Sequence, residues 1–310
     1  MNSKSIAGAL IGLVIVAAVG LLVVNSGDDS SETSSTSEST SQTSSAQPAA
    51  LPYGFNVSNL APLEQGVYEG WVVRGDDKFS FGTFNTTSTG SIVGQINFNE
   101  TQPVEGDKIV VTIEPSNDTD PGPSSTVVLA GDITNGKADL TFPVDLSTFS
   151  GRYITGTPTN DPEGFENSGI WFVIPGSPLT PSLNIPDAPD GWIYEGWVVY
   201  EGTPYSTGKF KTNSERDDFN SFSGINSSGP NYPGEDFVRN LPGDSEPFNL
   251  DNGSSMVVVS LEPDQDGTDP TGDGPAQVKP LSALISASIV DHTPTDLTLD
   301  TSAPSGSLSL

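Results

Sequence analysis

Closely spaced carboxylates are the first chemistry this chain offers. Asp264, Asp266, Asp269 and Asp273 follow one another across a turn that carries Gly267. Oxygen ligands on such a turn can wrap a hard cation, and Ca2+ is the ion this set would take. Asn117, Asp118 and Asp120 offer a shorter set earlier in the chain. The bidentate Glu and flanking helices of an EF-hand are missing, and among 40 acidic and 11 basic residues an Asp-rich loop in solvent is the plainer account. Glu69 and Glu195 each stand two residues before a Trp on the same face of a strand, where burial could raise a carboxyl pKa. A glycosidase sets two carboxyls across a cleft, so one such acid per segment does not suit it. No catalytic or cofactor-binding residue is assigned, and the expectation is a protein that is not an enzyme. His292, the single histidine, has neither a second imidazole nor a Cys to complete a triad or a metal centre, and reads as a turn or strand-end residue. Trp71, Trp192, Trp197, Tyr194 and Tyr200 could stack against carbohydrate, but the equivalent strand positions of Trp71 and Trp197 favour core packing. Asn56, Asn85, Asn99, Asn117, Asn226 and Asn252 each begin an Asn-x-Ser/Thr sequon and are the glycosylation candidates.

What positions these residues begins with the N-terminal segment. Ile6 to Val24 is an unbroken apolar run, long enough as a helix to span roughly 28 Å of hydrocarbon. Lys4 precedes it, whereas Asp28, Asp29 and Glu32 follow it, a polarity that keeps residues 1–5 in the cytoplasm and exports the rest. The run exceeds the usual signal-peptide core and Val24-Asn25-Ser26 is a poor cleavage site, so 6–24 reads as a signal anchor; cleavage would make the protein secreted. With five residues before it, no cytoplasmic domain is expected. Residues 25–50 are almost entirely Ser, Thr, Gly, Gln, Ala and acids, with nothing to bury, and read as a disordered stalk.

The remainder repeats itself. Val67-Tyr68-Glu69-Gly70-Trp71-Val72-Val73 recurs as Ile193-Tyr194-Glu195-Gly196-Trp197-Val198-Val199, and Gly82-Thr83-Phe84 meets Gly208-Lys209-Phe210 at the same displacement of 126. Ile109 to Pro115 matches Val257 to Pro263 at a displacement of 148, the difference falling in the Gly/Pro/Asn/Ser-rich stretch from Asp217 to Asn249. Asp139-Leu140-Thr141-Phe142 pairs more faintly with Asp296-Leu297-Thr298-Leu299. Each block is short, rich in β-branched and aromatic residues and closed by turn formers, and nothing after residue 50 sustains a helical period. The expected fold is all-β, two tandem β-sandwich domains at 51–158 and 159–310, with Ile170 to Ile174 opening the second.

Tyr-Glu-Gly-Trp-Val-Val followed by Gly-x-Phe, Val-Val-Val-Ser-Leu-Glu-Pro and Lys279-Pro280-Leu281 carry a family resemblance. With Ser168-Gly169-Ile170-Trp171-Phe172 and Pro233-Gly234-Glu235-Asp236-Phe237, they resemble the extracytoplasmic β-domain of anti-sigma-K-type factors and related exported lipoproteins. The second copy, about residues 160 to 310, matches more fully than the first. The resemblance implies an exported β-sandwich of poorly defined ligand. Anti-sigma activity in that family belongs to a cytoplasmic helical segment with no counterpart here, so it is not carried over.

Residues 51–310 hold 36 acidic and 10 basic side chains, a surface that repels nucleic acid and resists self-association. The absence of Cys excludes disulfides, thiolate metal sites and a cysteine nucleophile. The expected protein is therefore single-pass and held at the cell membrane through Ile6–Val24. Its exported domains would bind a protein or glycan partner or contribute to the envelope; the alternative is a sensor acting through a separate regulatory partner.

Overall fold

The computed structural model describes residues 53–310 apart from 117–118, 162, 245 and 266–268. The expected tail 1–5, membrane helix 6–24 and stalk 25–50 lie outside the described residues, as do Asn117, Asp118 and Asp266. Among the described residues no helix is long and apolar enough to cross a membrane.

The described chain is all-β, its helix limited to 3₁₀ turns at Leu146–Thr148, Glu166–Ser168 and Pro242–Asp244. The first strands are β1 (Gly54–Ser58), β2 (Val67–Arg74), β3 (Asp77–Thr86), β4 (Ile92–Gly94), β5 (Lys108–Glu114), β6 (Val127–Asp132) and β7 (Lys137–Thr141). There follow β8 (Ser150–Thr155), β9 (Ile170–Trp171), β10 (Val173–Ile174), β11 (Thr180–Pro181), β12 (Leu183–Asn184), β13 (Trp192–Tyr200) and β14 (Thr203–Phe210). The last are β15 (Gly234–Glu235), β16 (Met256–Pro263), β17 (Leu281–Leu284), β18 (Thr295–Asp296), β19 (Thr298–Leu299) and β20 (Ser305–Ser309).

One sheet has the order β1-β20-β7-β6-β5-β2-β3-β4. It curls strongly: Phe55 on β1 meets Phe81 and Phe84 on β3 at ring distances of 5.4 and 5.8 Å, although five strands separate β1 from β3 in the order. A second sheet runs β14-β13-β16-β17-β19, and a third runs β12-β8-β9-β15 with β18 also on β8. Tyr194 on β13 meets Phe149 beside β8 edge to face, so the second and third sheets pack as a sandwich. A small β10-β11 ribbon completes the set. One hydrophobic cluster runs through both repeats, from Phe55 and Leu129 to Tyr194 and Leu281.

The repeat seen in the sequence is a repeat of strand register. Glu69 stands opposite Thr83 and Thr112, just as Glu195 stands opposite Lys209 and Ser260. In β2–β3, Gly70 pairs with Gly82 and Trp71 with Ser80, leaving Phe81 as the extra residue of a β-bulge. In β13–β14, Gly196 pairs with Gly208 and Trp197 with Ser206, leaving Thr207. Gly82 and Gly208 take φ of +126° and +119° at these bulges, backbone that side chains strongly disfavour. Gly70 lies directly under the Phe81 ring, while beneath the smaller Thr207 it is Phe172 that closes on Gly196. Phe172 thus fills in the second repeat the space that Phe81 fills in the first.

Strand pairing crosses residue 158 in both directions. β20, near the C-terminus, lies between β1 and β7 of the first sheet, while β8, from the first half, pairs with β9, β12 and β18. Self-comparison of the sequence aligns β2, β3 and β5 with β13, β14 and β16; strands without a counterpart in the other copy carry no such signal.

Candidate functional site

Each repeat builds the same cluster on the strands shared by its aligned blocks. In the first, Trp71 Nε1 donates to Thr112 Oγ1 at 2.9 Å, and Thr112 donates in turn to Glu114 Oε1. Ser124 N donates to the same carboxylate oxygen at 2.8 Å. Ser80 Oγ donates to Glu69 Oε1 and accepts from Gly82 N at the bulge. In the second repeat Trp197 Nε1 donates to Ser260 Oγ at 2.8 Å, Ser260 donates to Glu262 Oε1, and Ala276 N reaches the same oxygen at 2.8 Å. Ser206 Oγ donates to Glu195 Oε1 at 2.5 Å and accepts from Gly208 N at 2.9 Å. Alternation in a strand sets residues two apart on one face, so Glu69 and Trp71 share a face with Thr112 and Glu114 across the ladder.

Besides Thr112 against Ser260, the two clusters differ in charge opposite the first acid. Opposite Glu195 stands Lys209, with Nζ 3.5 Å from Glu195 Oε2 and 3.5 Å from Asp269 Oδ2. Opposite Glu69 stands the exposed Thr83. A cleft of about 470 Å³ opens there, lined by Glu69, Trp71, Lys78, Ser80, Thr83 and Glu114. Burial pushes the Glu195 carboxyl up to about 7, with the Ser206 hydroxyl and the Lys209 ammonium pulling against it. Lys209 itself is raised: the burial that would lower it is outweighed by Glu195, Asp269 and Glu262. Glu262 is raised by burial despite its bonds to Ser260 and Ala276.

A further acidic cluster lies under the long loop before β16. Asp236 accepts from Trp171 Nε1 at 2.7 Å, from Thr159 N at 2.7 Å and from the Thr159 hydroxyl. Glu235 accepts from Ser223 Oγ and from the backbone N–H of Phe222 and Asp236. Asp217 accepts from Gly234 N at 2.7 Å and from Phe219 N at 3.1 Å. Burial raises Asp217 and Glu235 to about 7 and Asp236 to about 6, against these hydrogen bonds. These acids act as anchors that satisfy backbone donors of an irregular segment.

The residues singled out from sequence are dispersed. Asp264 Oδ2 pairs with Lys211 Nζ at 2.6 Å, Asp269 accepts from Thr271 besides facing Lys209, and Asp273 is exposed. Among the described residues no group of three His, Cys, Asp or Glu is arranged to hold a metal ion. All four tryptophans are buried, as is Tyr194, and Tyr200 stacks on Phe248 at 4.3 Å. His292 sits in a turn at φ +57°, its Nε2 3.0 Å from Glu166 Oε2. Of the sequon asparagines, Asn56, Asn99 and Asn252 are exposed. The Asn85 side-chain amide donates to Leu63 O and that of Asn226 to Asn160 O.

Sequence reasoning weighed Glu69 and Glu195 as solitary acids and missed Glu114 and Glu262. The signal was present in the repeated block itself, which ends in Glu-Pro in both copies with Thr112 or Ser260 two residues earlier. Lys209 was legible only as a mismatch against Thr83. No protein-family model, characterised protein or solved structure matches the chain.

Proposed function

We propose that this is a non-enzymatic, single-pass cell-surface protein. Its Ile6–Val24 segment holds it in the membrane, and its β-sandwich repeats, outside, bind a protein or glycan partner or contribute to the envelope. One observation carries the reading: the Trp, hydroxyl and carboxylate groups of both repeats are joined to one another within the sheets, an arrangement suited to a rigid scaffold. The acidic surface and the Ser/Thr-rich segment after the apolar run support the same reading. In the acidic loop, the Lys211 and Lys209 contacts of Asp264 and Asp269 favour internal ion pairing over calcium.

Protease added to intact cells tests it. Residues 51–310 are expected to be digested from outside while a cytoplasmic control survives; complete protection would overturn the proposal. The second reading, a sensor acting through a separate regulatory partner, rests on the resemblance of the Tyr-Glu-Gly-Trp and Glu-Pro blocks to anti-sigma-K-type β-domains. Detergent co-purification separates the two. A multi-span or sigma-regulating partner would favour the sensor, and envelope polymer or surface proteins would favour the first reading.

A further inference from the structure

The structure divides the arginines into two kinds. Arg74 is bonded to Asp107 at 2.7 Å and Arg152 to Asp296 at 2.6 Å. Arg216 and Arg239 have no carboxylate within ion-pair distance among the described residues, and both line one cleft of about 430 Å³. In a chain with 40 acidic side chains, two arginines left unpaired and brought to one place are set to take an anion from elsewhere. The cleft is built from the irregular stretch around Asp217 to Asn249, where the second repeat is longer than the first.

The acids nearest Arg216 in sequence are engaged elsewhere: Asp217 accepts from Gly234 N and Phe219 N, and Asp218 Oδ1 accepts from Lys209 N. Arg216 Nη2 donates to Gly229 O at 3.2 Å, which leaves Nε and Nη1 to a ligand. The backbone that carries the pair is held from below. Arg239 N donates to Phe222 O at 3.0 Å, Asn240 Nδ2 to Ser221 O at 2.8 Å, and Gly224 N to the hydroxyl of the buried Thr159 at 2.7 Å. A frame fixed in this way lowers the ordering cost of binding. Hydroxyl and amide groups of Asn220, Ser228 and Asn240 complete the wall, with the exposed Ile225 as its aliphatic member. Such a wall meets the hydroxyls and C–H face of a sugar, and a guanidinium fork meets a carboxylate. No strand lines the cleft, so an extended peptide would find no sheet edge there to pair with.

We propose that this cleft binds a hexuronate, an acidic sugar unit of a glycan, with Arg216 and Arg239 on its carboxylate. The inference deepens the partner-binding reading above and rests on it for the glycan as partner.

The test is calorimetric titration of the full-length protein in detergent with cellobiouronic acid and with cellobiose, which has a hydroxymethyl group in place of the carboxylate. Salt at about 0.15 M, with a Debye length of about 8 Å, screens the cleft from the acidic surface. Saturable binding of the acid is expected, with cellobiose at least tenfold weaker. Arg216→Gln and Arg239→Gln should each weaken binding of the acid roughly tenfold or more, whereas Arg152→Gln, at an arginine paired with Asp296, should leave it unchanged. Thermal melts of the variants check that the fold is kept. No binding of the acid up to about 10 mM would overturn the proposal. So would cellobiose binding as tightly, or an equal loss in Arg152→Gln, the mark of a general charge effect. Nα-acetyl-glutamate methylamide or inorganic phosphate binding as tightly as the acid would also overturn it, since the sugar would then contribute nothing. This titration succeeds or fails wherever the chain resides in the cell, so its failure is distinct from failure of the cell-surface reading.

Discussion

Trp171 donates its indole N–H to Asp236 across 2.7 Å, and both side chains are buried. The bond ties β9 to the segment that follows β15, so a two-residue strand is held in place by a side-chain contact as well as by its ladder. Asp236 also collects both donors of Thr159, joining the turn after β8 to the same point.

Asp236→Ala should therefore be costly. It leaves the Trp171 indole and the Thr159 amide without their acceptor in a buried site, a loss of about 2–4 kcal/mol by the usual penalty for unsatisfied polar groups. Asp236→Asn keeps an acceptor oxygen and should cost less. Urea unfolding at constant pH measures both.

Acidity should stabilise the all-β body over a defined range. Glu195, Asp217, Glu235 and Asp236 carry pKa values raised to between about 6 and about 7, whereas in the unfolded chain such groups titrate near about 4. The folded state thus binds protons more tightly. Its advantage is complete below the unfolded values and is lost as pH rises through about 6 to 7. Asp107, held low by Arg74 with burial opposing, has the opposite sign, and its contribution is lost on further acidification. The midpoint of thermal unfolding is expected to be higher at pH 5 than at pH 8, by about 5 °C or more, with a fall at lower pH. Equal midpoints at pH 5 and pH 8 would refute it.

The paired indole bonds make a prediction that the chain itself calibrates. Ser260→Ala strips the acceptor from Trp197, and Thr112→Ala does the same to Trp71. Each should lose about 1–3 kcal/mol in denaturant unfolding. Thr112→Ser should be close to neutral, because the other repeat already uses serine at this place.

Removing residues 302–310 should damage the first sheet, far away in sequence. β20 pairs along its length with both β1 and β7, and Leu308 is buried among the core residues. The truncated protein is expected to lose amide protection in β1 and β7 and to expose Phe55 to solvent. Hydrogen exchange read by mass spectrometry on the intact and shortened chains checks this.

The strands that position the site were legible because both repeats write them with the same letters. Tyr-Glu-Gly-Trp-Val-Val fixes which residues face the core, and its second appearance fixes the register against the Glu-Pro block. The buried acids Asp217, Glu235 and Asp236 were not legible, since Thr159, Phe219, Phe222 and Ser223 among their partners lie in irregular backbone whose path no periodicity reports. Lys209 escaped notice for a different reason. Its meaning lies in a substitution between copies, and a repeat search rewards agreement. β20 escaped because Ser-Gly-Ser-Leu-Ser has one large apolar residue in five; the neighbours on either side, rather than its own composition, make it a strand.

The position of β20 also bears on how the molecule is made. A sheet that needs Ser305–Ser309 between strands beginning at Gly54 and Lys137 stays open until that distant segment has been made, with β1 and β7 facing a gap. Such a distant closure slows folding and delays it until Ser305–Ser309 is free to pair. If the chain is exported, as proposed above, that delay is useful, because the polypeptide remains slack enough to pass a translocation channel and locks only on arrival.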